Sequence, residues 1–119
     1  MSQPTTAHSQ EPNPENIGFV LYTKTRNPGV LIARWKYGKQ YFGSGIATGG
    51  PLEGFKGNYH VRYFLEGGEF SNEYDLEILQ AETFYDLIWR VDNVIKIRGV
   101  GMLVENGTGL AVGWQMVDG

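Results

Sequence analysis

A chain of 119 residues with 41% hydrophobic and 13% aromatic side chains holds material for one compact core, since domains run to about 150 residues; a wholly disordered chain is excluded. With no cysteine and a net charge of -3, disulfide frameworks, thiolate metal sites and cysteine nucleophiles are excluded. The ten Lys and Arg are scattered, whereas a nucleic-acid footprint needs them clustered.

Residues 1–16 hold three prolines, two glutamates and a run of Ser, Thr, Gln and Asn, with nothing apolar larger than Ala7 after Met1. This segment reads as a disordered polar leader, His8 included, ahead of a single domain over 17–119. It lacks the basic start and apolar stretch of a secretory signal. No window approaches the ~20 apolar residues of a membrane helix, so a soluble, cytoplasmic protein without a membrane partner is expected.

From Ile17 onward, Asn27-Pro28-Gly29, Tyr37-Gly38-Lys39, Thr48-Gly49-Gly50-Pro51, Glu66-Gly67-Gly68 and Asn106-Gly107 punctuate short runs rich in Val, Ile, Tyr, Phe and Trp. This spacing predicts eight strands, over 17–24, 30–37, 40–48, 58–65, 73–80, 83–91, 95–104 and 108–117. Residues 51–57 offer at most one helical turn.

Period-two alternation marks one face as the core: Tyr59, Val61, Tyr63 and Leu65; Tyr74, Leu76 and Ile78; Tyr85, Leu87 and Trp89; Leu110, Val112, Trp114 and Met116. A two-residue turn at Ala81-Glu82 sets Ile78 opposite Tyr85 and Leu76 opposite Leu87. A three-residue loop, Glu105-Asn106-Gly107, sets Met102 opposite Leu110 and Val100 opposite Val112. The seventh strand then changes phase between Ile97 and Val100, which predicts a β-bulge near Gly99, and Gly43-Ser44-Gly45 reads as a second bulge. Bends of this kind let eight strands meet edge to edge, so the expected fold is an all-β, eight-stranded antiparallel meander barrel. Trp35-Lys36 followed by Phe42-Gly43-Ser44-Gly45-Ile46 also resembles Trp89-Arg90 followed by Arg98-Gly99-Val100-Gly101-Met102, the trace of a repeat of four strands.

Eight meandering strands with Gly-x-Gly bends and an aromatic interior resemble the calycin group, the lipocalin and avidin-type (streptavidin-like) barrels. The closing stretch, Tyr85-x-Leu87-x-Trp89 through Gly99-x-Gly101 to Leu110-Ala111-Val112-Gly113-Trp114, is similar to segments of small bacterial barrels of unknown function and, more distantly, to the barrel proteins that repress type III secretion by binding a regulator. The lipocalin Gly-x-Trp is missing, since Gly18-Phe19 is followed by Val20, and no biotin-binding set matches. The resemblance therefore implies a barrel and no particular ligand.

Three constellations are candidates for function. Aligning the inward residues sets His60 opposite Glu77 and Arg62 opposite Asp75, and the next hairpin brings Asp86 beside Glu77. A histidine with two carboxylates suits a general base or a divalent-metal site. The alternation instead turns this row to solvent as a cross-strand charge ladder, each pair contributing ~0.2–1 kcal/mol; facing it inward would put the aromatics outside. Tyr59, Tyr63, Tyr74, Tyr85, Trp89 and Trp114 either fill the barrel or line a cavity for a flat apolar ligand. Phe55, Phe64 and Phe70 are candidates for an outer contact surface.

Glycine-rich 43–45 and 99–101 are followed by no helix and no Gly-Lys-Ser/Thr, so they are not phosphate loops. Gly-x-Ser-x-Gly is absent, and a single histidine in the folded part supplies neither a triad nor a multi-histidine metal site. The expectation is a non-enzymatic protein with no cofactor and no metal, binding a small apolar or aromatic molecule in the barrel mouth. The alternatives are an interaction module, a homodimer included, and a cavity cyclase or isomerase using a tyrosine or the His60 and Glu77 pair.

Overall fold

In the computed structural model, which describes residues 15–117, eight strands follow one another around a closed barrel. They are β1 (Gly18–Lys24), β2 (Leu31–Tyr37), β3 (Tyr41–Thr48), β4 (Gly57–Leu65), β5 (Phe70–Ala81), β6 (Phe84–Val91), β7 (Val94–Val104) and β8 (Gly109–Met116). Each pairs antiparallel with the next, and β8 closes on β1 with Val112 opposite Val20. Closure leaves no strand edge unpaired. The predicted strand over 73–80 begins three residues early, at Phe70, and the one helical element among the described residues is a 3-10 turn at Glu105–Gly107 rather than at 51–57. No helix among the described residues is long and apolar enough to cross a membrane. Of the expected leader over 1–16, residues 1–14, with His8, lie outside the described residues. Asn16 is tied to the end of β8: its Nδ2 donates to the Met116 carbonyl at 3.1 Å, and its Oδ1 accepts from Met116 N–H at 2.8 Å.

Alternation places Val20, Tyr22, Leu31, Ala33, Ala47, Val61, Leu76, Ile78, Leu87 and Leu110 inside, all buried. Hydrophobic burial of this continuous interior is the main stabilising contribution to the fold. Large aromatics fit because glycines face them. A side chain at Gly45 would meet the Tyr63 ring at 2.7 Å, one at Gly50 the Tyr59 ring at 2.1 Å, and one at Gly18 the Trp114 ring at 2.3 Å.

Both hairpin registers expected from turn position need correction. The β5–β6 turn is Glu82-Thr83, so Ile78 lies opposite Leu87 and Leu76 opposite Trp89, two residues from the expected pairs. Glu82 supplies the positive φ of 60° that the tight turn requires. The β7–β8 loop has four residues, 105–108, and pairs Leu103 with Leu110 and Gly101 with Val112. That one-residue difference reverses the faces of β7: Gly99 and Gly101 point inward, while Val100 and Met102, expected inside, are 65% and 51% exposed.

The bulges move accordingly. Pairing through Gly43–Gly45 is unbroken on both sides. It is Ser71 in β5, against Tyr63/Phe64, and Lys96 in β7, against Trp89/Arg90, that are left without partners. Gly99 instead makes room, since a Cβ there would lie 3.1 Å from the Trp89 ring.

Candidate functional site

The two ends of the barrel differ because their connections differ. At one end, residues 49–56 cross the opening and insert Phe55, which is 1% exposed. The ring is capped by Lys24 Nζ at 5.0 Å from its centroid, and that ammonium also donates to the Gly54 carbonyl at 3.2 Å. Gly50 N–H donates to the Gly29 carbonyl at 3.1 Å, which ties this connection to the β1–β2 turn. Tyr59 donates to the Phe55 carbonyl at 2.8 Å, and burial pushes its hydroxyl up to about 12. Phe55 is thus a plug, not the outer contact residue expected from the sequence.

At the other end the β2–β3, β4–β5 and β6–β7 turns are short and cross nothing. There the interior opens into a cavity of about 250 Å³. Its walls are aromatic: Trp35, Tyr37, Tyr63, Tyr74, Trp89 and Trp114. Tyr37 and Trp114 stack with centroids 5.0 Å apart and planes at 14°, while Trp35 meets Tyr63 edge-on at 6.1 Å and Tyr74 tilts against Tyr63 at 6.0 Å. Offset and edge-to-face pairs of this kind hold rings in fixed planes. Tyr41, Leu65, Ser71, Asn72 and Met116 contribute to the same lining.

The polar groups converge on the Tyr63 hydroxyl. Trp89 Nε1–H donates to it at 2.8 Å, and the Tyr22 hydroxyl is in hydrogen-bonding contact with it. Three hydrogens, one N–H and two O–H, share two hydrogen bonds, so one phenolic hydrogen has no acceptor among the described residues. Nearer the opening, Asn72 Nδ2 donates to the Tyr74 hydroxyl at 2.9 Å. Burial raises the pKa of Tyr22, Tyr63 and Tyr74 above 10, so all three remain neutral phenols at neutral pH. None of the lining residues is a carboxylate, imidazole, amine or guanidinium.

Of the six aromatics singled out in the sequence, Tyr63, Tyr74, Trp89 and Trp114 line this cavity. Tyr59 and Tyr85, though buried, do not. Trp35, Tyr37 and Tyr41 were not expected as lining residues; the alternation Leu31, Ala33, Trp35, Tyr37 marks the first two as inward, whereas nothing local marks Tyr41.

The ionic row lies outside the barrel, with its partners displaced by two residues. His60 faces Asp75, with Nδ1 3.2 Å from its Oδ1, and its Nε2 lies 2.9 Å from Glu73 Oε2. Arg62 lies opposite Glu73, at 3.9 Å, instead of Asp75. Glu77 pairs with Arg90 at 3.0 Å, and Asp86 sits opposite Leu79 and Val100. His60, Glu77 and Asp86 therefore form no cluster, and no group of His, Asp and Glu able to hold a metal occurs among the described residues. The pKa of His60 is raised, first by its hydrogen bond to Asp75, with burial opposing. Phe64 and Phe70 stack edge-on at 6.1 Å under the Arg62 guanidinium.

The class of molecule that these features define is a closed eight-stranded barrel, plugged at one end and hollow at the other. No protein-family model, curated protein or solved structure matches the chain.

Proposed function

We propose that the protein is a calycin-like binding protein, in the lipocalin and avidin-type sense, whose ligand is a small, neutral, flat aromatic molecule carrying a hydrogen-bond-accepting oxygen. The observation that carries this reading is the uncharged aromatic cavity with a phenolic hydrogen to spare beside it. A void of roughly 150 Å³ already takes benzene, so about 250 Å³ suits one or two fused rings. The lack of any ionised group in the lining disfavours a charged ligand, which would leave water without a counter-charge.

The oxygen preference follows from the count of hydrogens. Tyr22 is fully buried and Tyr63 forms part of the cavity wall. When Tyr22 donates to Tyr63, the Tyr63 hydrogen is left for the cavity, where a ketone, ether or phenol oxygen accepts it. An acceptor that relieves a buried donor improves binding by about 1 kcal/mol, or several-fold.

All three tryptophans of the chain, Trp35, Trp89 and Trp114, line the cavity, so their indole N–H resonances report on its occupation. Titration of 15N-labelled protein with 2-acetylnaphthalene is expected to shift the Trp89 and Trp114 indole signals saturably and to raise the unfolding midpoint. Unchanged indole signals throughout a titration to the solubility limit would dismiss this ligand class.

A further inference from the structure

The outer wall of β6, β7 and β8 exposes large apolar side chains where a barrel exterior ought to be polar. In three successive cross-strand rows, the residues pointing outward are Phe84, Met102 and Ala111; Asp86, Val100 and Gly113; and Ile88, Arg98 and Gln115. Phe84, Val100 and Met102 are each more than half exposed, and Phe19 of β1 extends the middle row beyond Gly113. A contiguous apolar face on a small protein marks a contact surface.

Two details specify the occupant. The side chains of Asp86 and Arg98 stand on this face with no hydrogen bond or ion pair to any described residue, whereas on the neighbouring β4–β6 wall those of Glu73, Asp75, Glu77 and Arg90 are paired. They occupy opposite corners of a two-by-two block whose other corners are Val100 and Ile88. Gly113 lies in a shallow, open surface depression bordered by Phe19, Val100 and Met102, and a side chain there would meet nothing within 4 Å. It lies diagonally from the exposed Met102, across the block formed with Val100 and Ala111.

We propose that this face seats a second copy of the chain, about a two-fold axis lying in the interface along the diagonal Ile88, Val100 and Ala111. Reflection across that diagonal exchanges Asp86 with Arg98, Met102 with Gly113, and Phe84 with Gln115. Each Asp86 then meets the Arg98 of the other copy, and each Met102 fills the other copy's hollow at Gly113, as an isologous interface requires. The carboxylate and guanidinium, left single in the monomer, find opposite charges twice per dimer. Residues 1–14 are a poor occupant, because after Met1 they offer nothing apolar larger than Ala7 except prolines. The inference is independent of the ligand reading, since the axis lies on the outside wall.

Sedimentation of the full chain over a concentration series tests it, against a monomer mass of 13.3 kDa. Twice that mass is expected for the wild type. D86R and R98D each place like charges together at two symmetric positions and should weaken association at least about 100-fold, while the double variant D86R/R98D recovers it. V100E, with two glutamates brought together on the axis, should be a monomer whose circular dichroism and melting remain those of a folded barrel. A wild type that stays at 13.3 kDa at every soluble concentration overturns the proposal. So does a dimer that the double swap fails to restore, or an assembly that keeps growing with concentration, which would signal a head-to-tail contact.

Discussion

Tyr63 holds the polar centre of the interior together, because its hydroxyl is the shared partner of Trp89 and Tyr22. Replacing it by phenylalanine strands a buried indole N–H and a buried hydroxyl, each with a desolvation cost of about 1–3 kcal/mol. Tyr63→Phe is therefore expected to lower unfolding stability by at least about 1 kcal/mol, as read in urea, whereas Tyr22→Phe leaves the Trp89 bond to Tyr63 in place, strands no new donor and costs less. The reverse order of the two variants would contradict the hydrogen count.

His60 makes a prediction about pH. Its pKa is raised in the folded state, chiefly by Asp75, so the protonated imidazole is the form that folding favours. That contribution is fully present below the ordinary value of 6.5 and is lost as pH rises through the raised folded value. Being nearly half exposed, the residue contributes a solvent-screened amount. An imidazole titration by NMR, assigned by loss of the signal in His60→Gln, should give a midpoint above 6.5; a midpoint at or below it would contradict the bridge to Asp75 and Glu73.

At the scale of strands, the close approach of β3 to β4 depends on Gly43, where a Cβ would lie 1.9 Å from the Phe64 carbonyl oxygen. Backbone cannot yield as the end of a side chain can, so Gly43→Ala must push the strands apart at a cost of about 1–3 kcal/mol. Its exposed neighbour serves as the control, because Ser44→Ala should stay within about 0.5 kcal/mol of wild type. Equal melting of the two variants would show that the strand contact is looser than described.

The strands also show what a period of two reveals and what it hides. Inward and outward faces of β4, β5, β6 and β8 were legible from alternation alone. The His60 to Glu77 pairing was not, because a slip of two residues leaves every side chain on its own face and the hydrophobic pattern cannot register it. The β7 reversal arose differently. Glu105-Asn106-Gly107 reads as a three-residue loop and apolar Val100 and Met102 read as core, whereas the loop has four residues, with Glu105, Asn106 and Gly107 all at positive φ. The glycines at 99 and 101 carried the opposing signal: packed against the Trp89 ring and the Val112 side chain, the small residue is the one that must face inward.

For the whole molecule, the asymmetry of the two ends separates stability from binding. Phe55 closes one end by packing alone, so Phe55→Ala should cost about 3–5 kcal/mol in unfolding free energy and leave affinity at the opposite mouth unchanged. A parallel loss of both would mean that the plug and the cavity are one unit. Closure of eight strands was readable from their number, spacing and bends. Whether the aromatics filled the barrel or lined a space was not, since that depends on which loop crosses which end, and nothing local in residues 49–56 announces that Phe55 turns inward.

The most direct measurement is the calorimetric affinity of 2-acetylnaphthalene against that of 2-ethylnaphthalene, which matches it in shape but lacks the oxygen, in the wild type, Tyr63→Phe and Tyr22→Phe. Wild type and Tyr22→Phe should prefer the ketone several-fold, and Tyr63→Phe should bind the two alike. A wild type indifferent to the oxygen, or a preference that survives in Tyr63→Phe, would contradict a cavity built around that hydroxyl.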